Sequence, residues 1–414
     1  MSHSRRNFLK SLVGASTVVS LSPTLPALLH RSALAASKTE QTSDTVLVVI
    51  QLSGGNDGLN TVVPYADDAY ARSRTTLRLT AGDVHKIDSL LGFHPQMPTF
   101  SRLFAEGHLT VVQGVGYPNS DRGHNEAMRD WHTGQPGEVT CQTGWLGRAI
   151  DQVDQPHQTA VPGALVAQIP LPLALSAQRA IVPRVRTADQ WILQASEGHR
   201  ARMLEAVEQS TTDSGNPLAD HVRLGTLAAH ATSRQVDEVL RGAGQRGEYP
   251  AFTLAKQLNT IAELIRADVG VRILFAEVGG GGIGGFDNHA NQRDNHAALL
   301  REISTSIAAF VDDLNRTKML DRVLLMTFSE FGRTLSENGR RGTGHGAAAP
   351  VFLAGGRLQG GLVGQHPSLT DLAGDAPKHH TDYRQVYATV LDKWLRIDSE
   401  PVLGAKYAPL DVFV

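Results

Sequence analysis

Runs of aliphatic residues that stop abruptly at glycine or polar residues set the rhythm of this chain. Thr45–Leu52 is a nearly unbroken β-branched run closed by Ser53-Gly54-Gly55-Asn56-Asp57-Gly58. His108–Val112, Val271–Ala276, Arg322–Phe328 and Pro350–Ala354 repeat the pattern, and all but Arg322–Phe328 lead into glycines. Runs without polar alternation predict strands of a parallel sheet buried on both faces. Between them the period changes to that of a helix. Asn295–Lys318 places Leu299, Leu300, Ile303, Ile307, Phe310, Val311 and Leu314 on one stripe, and Thr253–Val269 does the same with Leu254, Leu258, Ile261, Leu264 and Ile265. Asp382–Leu395 is a further amphipathic helix. Strand–helix alternation predicts an α/β fold, a large mostly parallel sheet with helices on both faces. Residues 154–248 break the alternation and read as a loop-rich, then helical insertion that would cap the sheet edge.

The first residues are an address. Ser4-Arg5-Arg6-Asn7-Phe8-Leu9-Lys10, a moderately apolar stretch and the small-x-small Ala33-Leu34-Ala35 form a twin-arginine signal peptide over 1–35. The expected globular domain is 44–414. The expected partner in export is the twin-arginine translocase, and the expected location is periplasmic or secreted, with no stable membrane span after cleavage. The apolar stretch carries Ser, Thr, Gly and Pro, which suit a removable segment better than a bilayer span. Composition narrows the rest. Lys plus Arg is 39 against 41 for Asp plus Glu, a balance that disfavours a nucleic-acid partner held by phosphate attraction. A single cysteine, Cys141, excludes a disulfide scaffold. The aliphatic content supports a real core and excludes disorder.

Candidate chemistry lies where the strands end, the rim at which open α/β sheets bind ligands. Strand one delivers Asp57. Strand two leads to Asp121-Arg122-Gly123-His124. Strand three leads to Asp287-Asn288-His289, and strand four to Ser329-Glu330-Phe331-Gly332-Arg333, followed by Gly344-His345-Gly346. Carboxylates and imidazoles converging from separate strand ends suit a divalent metal ion: zinc or manganese for a mixed shell, magnesium or calcium for oxygen alone. Each group also has a plainer reading. Asp57 suits an Asx-turn, Asp287 and His289 a surface pair, Glu330 the first turn of a helix, and His345 a simple turn.

Several ordered motifs resemble one family. They are Gln51–Pro64 (QLSGGNDGLNTVVP), Gly144-Trp145-Leu146-Gly147-Arg148, Gly285-Phe286-Asp287-Asn288-His289, Ser329–Thr334 with Glu337-Asn338-Gly339 and Gly342–Gly346, and Asp382–Tyr387. The set resembles the twin-arginine-exported bacterial family known as domain of unknown function 1501, placed in the alkaline-phosphatase-like superfamily with sulfatases and cofactor-independent phosphoglycerate mutases. The resemblance implies a large parallel-sheet fold and a two-metal hydrolytic site. It implies one metal held by Asp287, His289 and His345, and a second begun by Asp57 and Glu330. His124 would be a second-site ligand or a proton carrier, and Arg122 or Arg333 would neutralise an oxyanion. Two positions depart from the superfamily pattern. Phe331 stands where a metal-binding His commonly follows the acid. Gly123 stands where Arg122-Gly123-His124 would need a nucleophilic hydroxyl. The expected function is an exported metal-dependent hydrolase of phosphate or sulfate esters, small-molecule or polysaccharide. The alternative is a catalytically degenerate relative that binds a ligand or partner without turnover.

Overall fold

The computed structural model describes residues 44–153, 163–180, 182, 184–185, 247–268, 270–279 and 285–414. The expected export address at 1–35 and most of the expected 154–248 cap lie outside the described residues. Among the described residues eight strands form the main sheet: β1 (Val46–Leu52), β2 (Leu109–Gly116), β3 (Gly163–Leu165), β4 (Ile273–Val278), β5 (Val323–Phe328), β6 (Ala349–Gly355), β7 (Gly361–Val363) and β8 (Thr381–Asp382). Their spatial order is β7-β2-β6-β5-β1-β4-β3, with β8 also paired to β2. All run parallel except β6, which is antiparallel to both of its neighbours.

The reversal at β6 has a local cause. A parallel return needs a crossover of a dozen or more residues, usually a helix. Between β5 and β6 the chain forms only a short hairpin, Arg333–Glu337 with Thr343–His345, so it comes back beside β5 in the opposite sense. This hairpin stays at the C-terminal end of β5 and carries His345 there. Within the expected 154–248 insertion, strand β3 lies last in the described sheet, paired to β4.

The sheet is covered on both faces, as the hydrophobic runs require. Val46, Val48, Ile50 and Leu52 of β1 pack with helices α1 (Pro98–Ala105), α4 (Thr253–Arg266) and α5 (Gln292–Arg316). Leu47 and Val49 face the opposite layer, with α2 (His124–Thr133), α3 (Trp145–Val153) and α6 (Tyr383–Ala388). Successive strand side chains point to opposite faces, so a continuous apolar run serves two cores at once. Helix α6 starts at a capping box between Asp382 and Gln385 and continues as a π-helix over Thr389–Leu395. Among the described residues no helix is long and apolar enough to cross a membrane.

Candidate metal centre

Four loops leave the C-terminal ends of parallel strands and meet. Strand β1 opens into Ser53–Asp57, β2 reaches His124 at the first residue of α2, β4 precedes Asp287 and His289, and β5 runs into Ser329 and Glu330. The β1 loop depends on Gly54, whose φ of 116° places it in a conformation L side chains rarely adopt. A Cβ there would lie 2.4 Å from the Asp287 amide nitrogen. The Gly54 N–H donates to the Glu330 carboxylate at 2.9 Å. Gly54→Ala is therefore expected to cost about 1–3 kcal/mol from backbone strain and to displace the loop carrying Asp287. Urea unfolding reads the first effect, and an unchanged midpoint would refute it.

At the centre, His124, Asp287 and His345 each bring one ligand atom within 4.8 Å of the others. The hydrogen bonds fix their tautomers. A carbonyl only accepts, so His345 Nδ1 carries the hydrogen it donates to the Arg122 carbonyl at 2.6 Å. In the same way, His124 Nδ1 donates to Glu330 Oε1 at 2.9 Å. In the neutral rings both Nε2 atoms are then bare lone pairs, and both are aimed at Asp287. His124 Nε2 is 3.4 Å from Oδ2, and His345 Nε2 is 3.2 Å from Oδ1. His289 Nε2 lies 3.0 Å from Oδ1 and 2.9 Å from His345 Nε2. Lone pairs facing a carboxylate repel one another unless a proton or a cation lies between. A mixed nitrogen and carboxylate set held this way fits a divalent ion such as zinc or manganese. The outer partners, Glu330 on His124 and the Arg122 carbonyl on His345, are of the kind that orient metal-ligating histidines. Side-chain exposures of 38% for His124, 43% for Asp287 and 39% for His289 leave the group open to solvent.

The pKa shifts at Asp287 and His289 favour the ligating forms, whereas the one at His124 favours its proton, which a bound cation would displace. Burial tends to raise the Asp287 pKa, but the hydrogen bond and charge of Arg333 win and hold it at about 2. The hydrogen bond to Glu330 raises the His124 pKa against partial burial. Burial lowers that of His289, against the pull of Asp287.

The sequence-derived assignments are redistributed. His124, expected as a second-site ligand or proton carrier, joins Asp287 and His345, with His289 adjoining. Glu330 stands one step out, its oxygens taken by His124, the Gly54 N–H and the Ser329 hydroxyl. Asp57 does not join the group. Both of its oxygens are bonded by the guanidinium of Arg74, at 2.6 and 3.0 Å, and Gln292 donates to it as well. Arg333 is fully buried and is not placed to grip a substrate oxyanion. Its donors go to the carbonyls of Gly54, Gly55, Phe286 and Thr343 and, at 2.7 Å, to Asp287 Oδ1. The exposed Arg122 side chain bonds the Ala373 carbonyl. Phe331 stacks on the His345 ring, with centroids 4.5 Å apart. Sequence reasoning missed Arg74 and Gln292, for no motif marks an arginine as the partner of a carboxylate from another loop.

The sequence profile of the family described as "Protein of unknown function (DUF1501)" matches residues 110–406. The chain belongs to this family. The motifs from Gly144 onward lie inside the match, and Gln51–Pro64 precedes it. No curated protein matches the chain. Among solved structures, a protein in the alkaline phosphatase superfamily from Vibrio parahaemolyticus is similar at 9% identity and a TM-score of 0.38, covering 94% of this chain and 79% of that one. BT1596, a 2-O GAG sulfatase, matches at 9% identity and 0.38, covering 89% and 76%. The zinc complex of the C-terminal periplasmic domain of EcEptC from Escherichia coli matches at 11% identity and 0.35, covering 75% and 72%.

Proposed function

We propose that this protein is an exported metal-dependent hydrolase of phosphate or sulfate esters. The observation that carries the reading is the pair of tautomer-locked imidazoles, His124 and His345, whose free Nε2 atoms face the Asp287 carboxylate. In this reading His124, Asp287 and His345, with His289 beside them, would hold a divalent cation. Bound there, the cation would supply Lewis acidity toward an ester oxygen and lower the pKa of water. The chain's own residues do the rest. Glu330 and the Arg122 carbonyl hold the two rings in the ligating tautomer. Arg333 keeps Asp287 ionised and ties the loops after β1 and β4 to the hairpin. Helix α2 begins at His124, so the positive end of its dipole lies beside the cluster, where an anionic ester group would sit. The proposed location outside the cytoplasm rests on the Arg5-Arg6 address.

One observation favours the second reading, binding without turnover. The N-cap of α2 is Gly123, so that position offers no hydroxyl nucleophile. Cys141 Sγ is engaged with the Thr143 carbonyl, 3.2 Å away, and lies near Arg148. The test is an assay of p-nitrophenyl phosphate, its bis-ester and p-nitrocatechol sulfate on protein loaded with zinc or manganese. Turnover of one of them is expected. His345→Ala is expected to reduce it by more than about 100-fold, and Glu330→Gln by about 10–100-fold, the range for outer partners. Full metal occupancy with no turnover on any ester would favour the binding reading.

A further inference from the structure

We infer that the centre holds one cation rather than two, and that the buried guanidinium of Arg74 supplies the positive charge that Asp57 would otherwise take from a second metal ion. The inference rests on the metal reading above and deepens it. A second cation would draw on Asp57 and Glu330, the two acids outside the histidine group. Both are already provided with donors.

The Asp57 carboxylate is gripped in fork geometry, with Arg74 Nη1 2.6 Å from Oδ2 and Nη2 3.0 Å from Oδ1. The Gln292 amide also donates to Oδ2, and its orientation is set from the far side, where its oxygen accepts from the Thr343 hydroxyl at 2.7 Å. Arg74 is itself fully committed. Its remaining donors reach the Leu335 carbonyl at 2.6 Å, the Thr334 carbonyl at 2.9 Å and Asn60 Oδ1 at 3.2 Å. Arg74 is 0% and Asp57 2% exposed. The pair is neutral as it stands, and a dication inserted beside it would face a guanidinium out of reach of water. Glu330 is satisfied in a similar way. Oε1 accepts from His124 Nδ1 and the Gly54 N–H, both at 2.9 Å, and Oε2 accepts from the Ser329 hydroxyl at 3.2 Å.

The contrast with the histidine group decides the count. There, Asp287 is 43% exposed and takes one guanidinium hydrogen bond, from Arg333 on Oδ1, while the Nε2 lone pairs of His124 and His345 face its oxygens, and one further positive charge relieves that arrangement. Around Asp57 and Glu330, donor faces acceptor, and an added cation would break hydrogen bonds without relieving any repulsion.

The test uses the chelator-treated full chain reloaded with Mn²⁺. Elemental analysis gives the stoichiometry, and electron paramagnetic resonance separates an isolated ion from a coupled pair. One equivalent with an uncoupled six-line spectrum is expected, lost in Asp287→Asn and retained in Asp57→Asn. Two equivalents, or a spin-coupled spectrum, would overturn the inference while leaving the metal reading intact. No bound manganese in the unaltered protein would instead overturn the metal reading, and the inference with it. The unaltered protein decides the count alone should Asp57→Asn fail to fold.

Discussion

Asp287→Asn is expected to abolish metal binding, weakening zinc or manganese affinity by more than about 100-fold, beyond the range for an outer partner. Asp287 is the one carboxylate that all three imidazoles share. Its Oδ1 lies 3.0 Å from His289 Nε2 and 3.2 Å from His345 Nε2, and its Oδ2 is 3.4 Å from His124 Nε2. Asparagine keeps the size and loses the charge, leaving three imidazoles beside the Arg333 guanidinium with nothing to offset a dication. The change also takes the counter-charge from the buried Arg333 guanidinium, so some loss of stability is expected as well, and the two effects are read separately. Calorimetric titration with zinc reads the first, and the thermal midpoint of the apo protein reads the second. Affinity within tenfold of the unaltered protein would remove Asp287 from the centre.

Arg74→Met is expected to be the most destabilising of these substitutions, by about 3–5 kcal/mol at neutral pH, the cost of stranding one partner of a buried ion pair. The pH dependence identifies the cause. Burial alone would raise the Asp57 pKa, but the charge and hydrogen bonds of Arg74 prevail and hold it at about 2, below the ordinary carboxylate value of 3.8. A carboxyl whose folded value is depressed stabilises the protein above its unfolded value. That stability, about 2 kcal/mol here, is lost as pH falls from 3.8 through 2. Without Arg74 burial is opposed only by the smaller effects of His296 and the Gln292 hydrogen bond, the folded value rises, and protonation relieves the stranded charge. The difference between variant and parent is therefore largest at pH 7 and shrinks as the pH drops toward 4. Urea unfolding at both pH values checks this, and a pH-independent difference would assign the loss to packing rather than to charge.

The fold was largely legible in the chain. Thr45–Leu52, Val271–Ala276, Arg322–Phe328 and Pro350–Ala354 each fall within one or two residues of an observed strand. Their lack of alternation carries the physical content, because a run apolar on both faces has no stable place except between two helical layers. The stripes of α4 and α5 were equally plain. The main-sheet strands that went unseen, Gly163–Leu165, Gly361–Val363 and Thr381–Asp382, have two or three residues each, too few to show a period. The direction of β6 was also hidden. It depends on the hairpin before it, whose glycines and polar residues read as an ordinary loop.

The candidate site divides along the same line. The sequence by itself determined which residue types stand at the ends of which strands, and hence that acids and imidazoles gather at one rim. That follows from periodicity and from parallel strands sharing a direction. Only the tertiary structure decided which of them meet. His124 is drawn in because α2 starts at it, and Asp57 is drawn away because Arg74, from a neighbouring segment, offers two donors in a pocket closed to water. Arg333 becomes a tie between loops because hydrogen bonds to four carbonyls fix its side chain before any ligand arrives. Pairing between side chains far apart in the chain is settled by desolvation and donor geometry, and neither quantity exists until the loops are packed together.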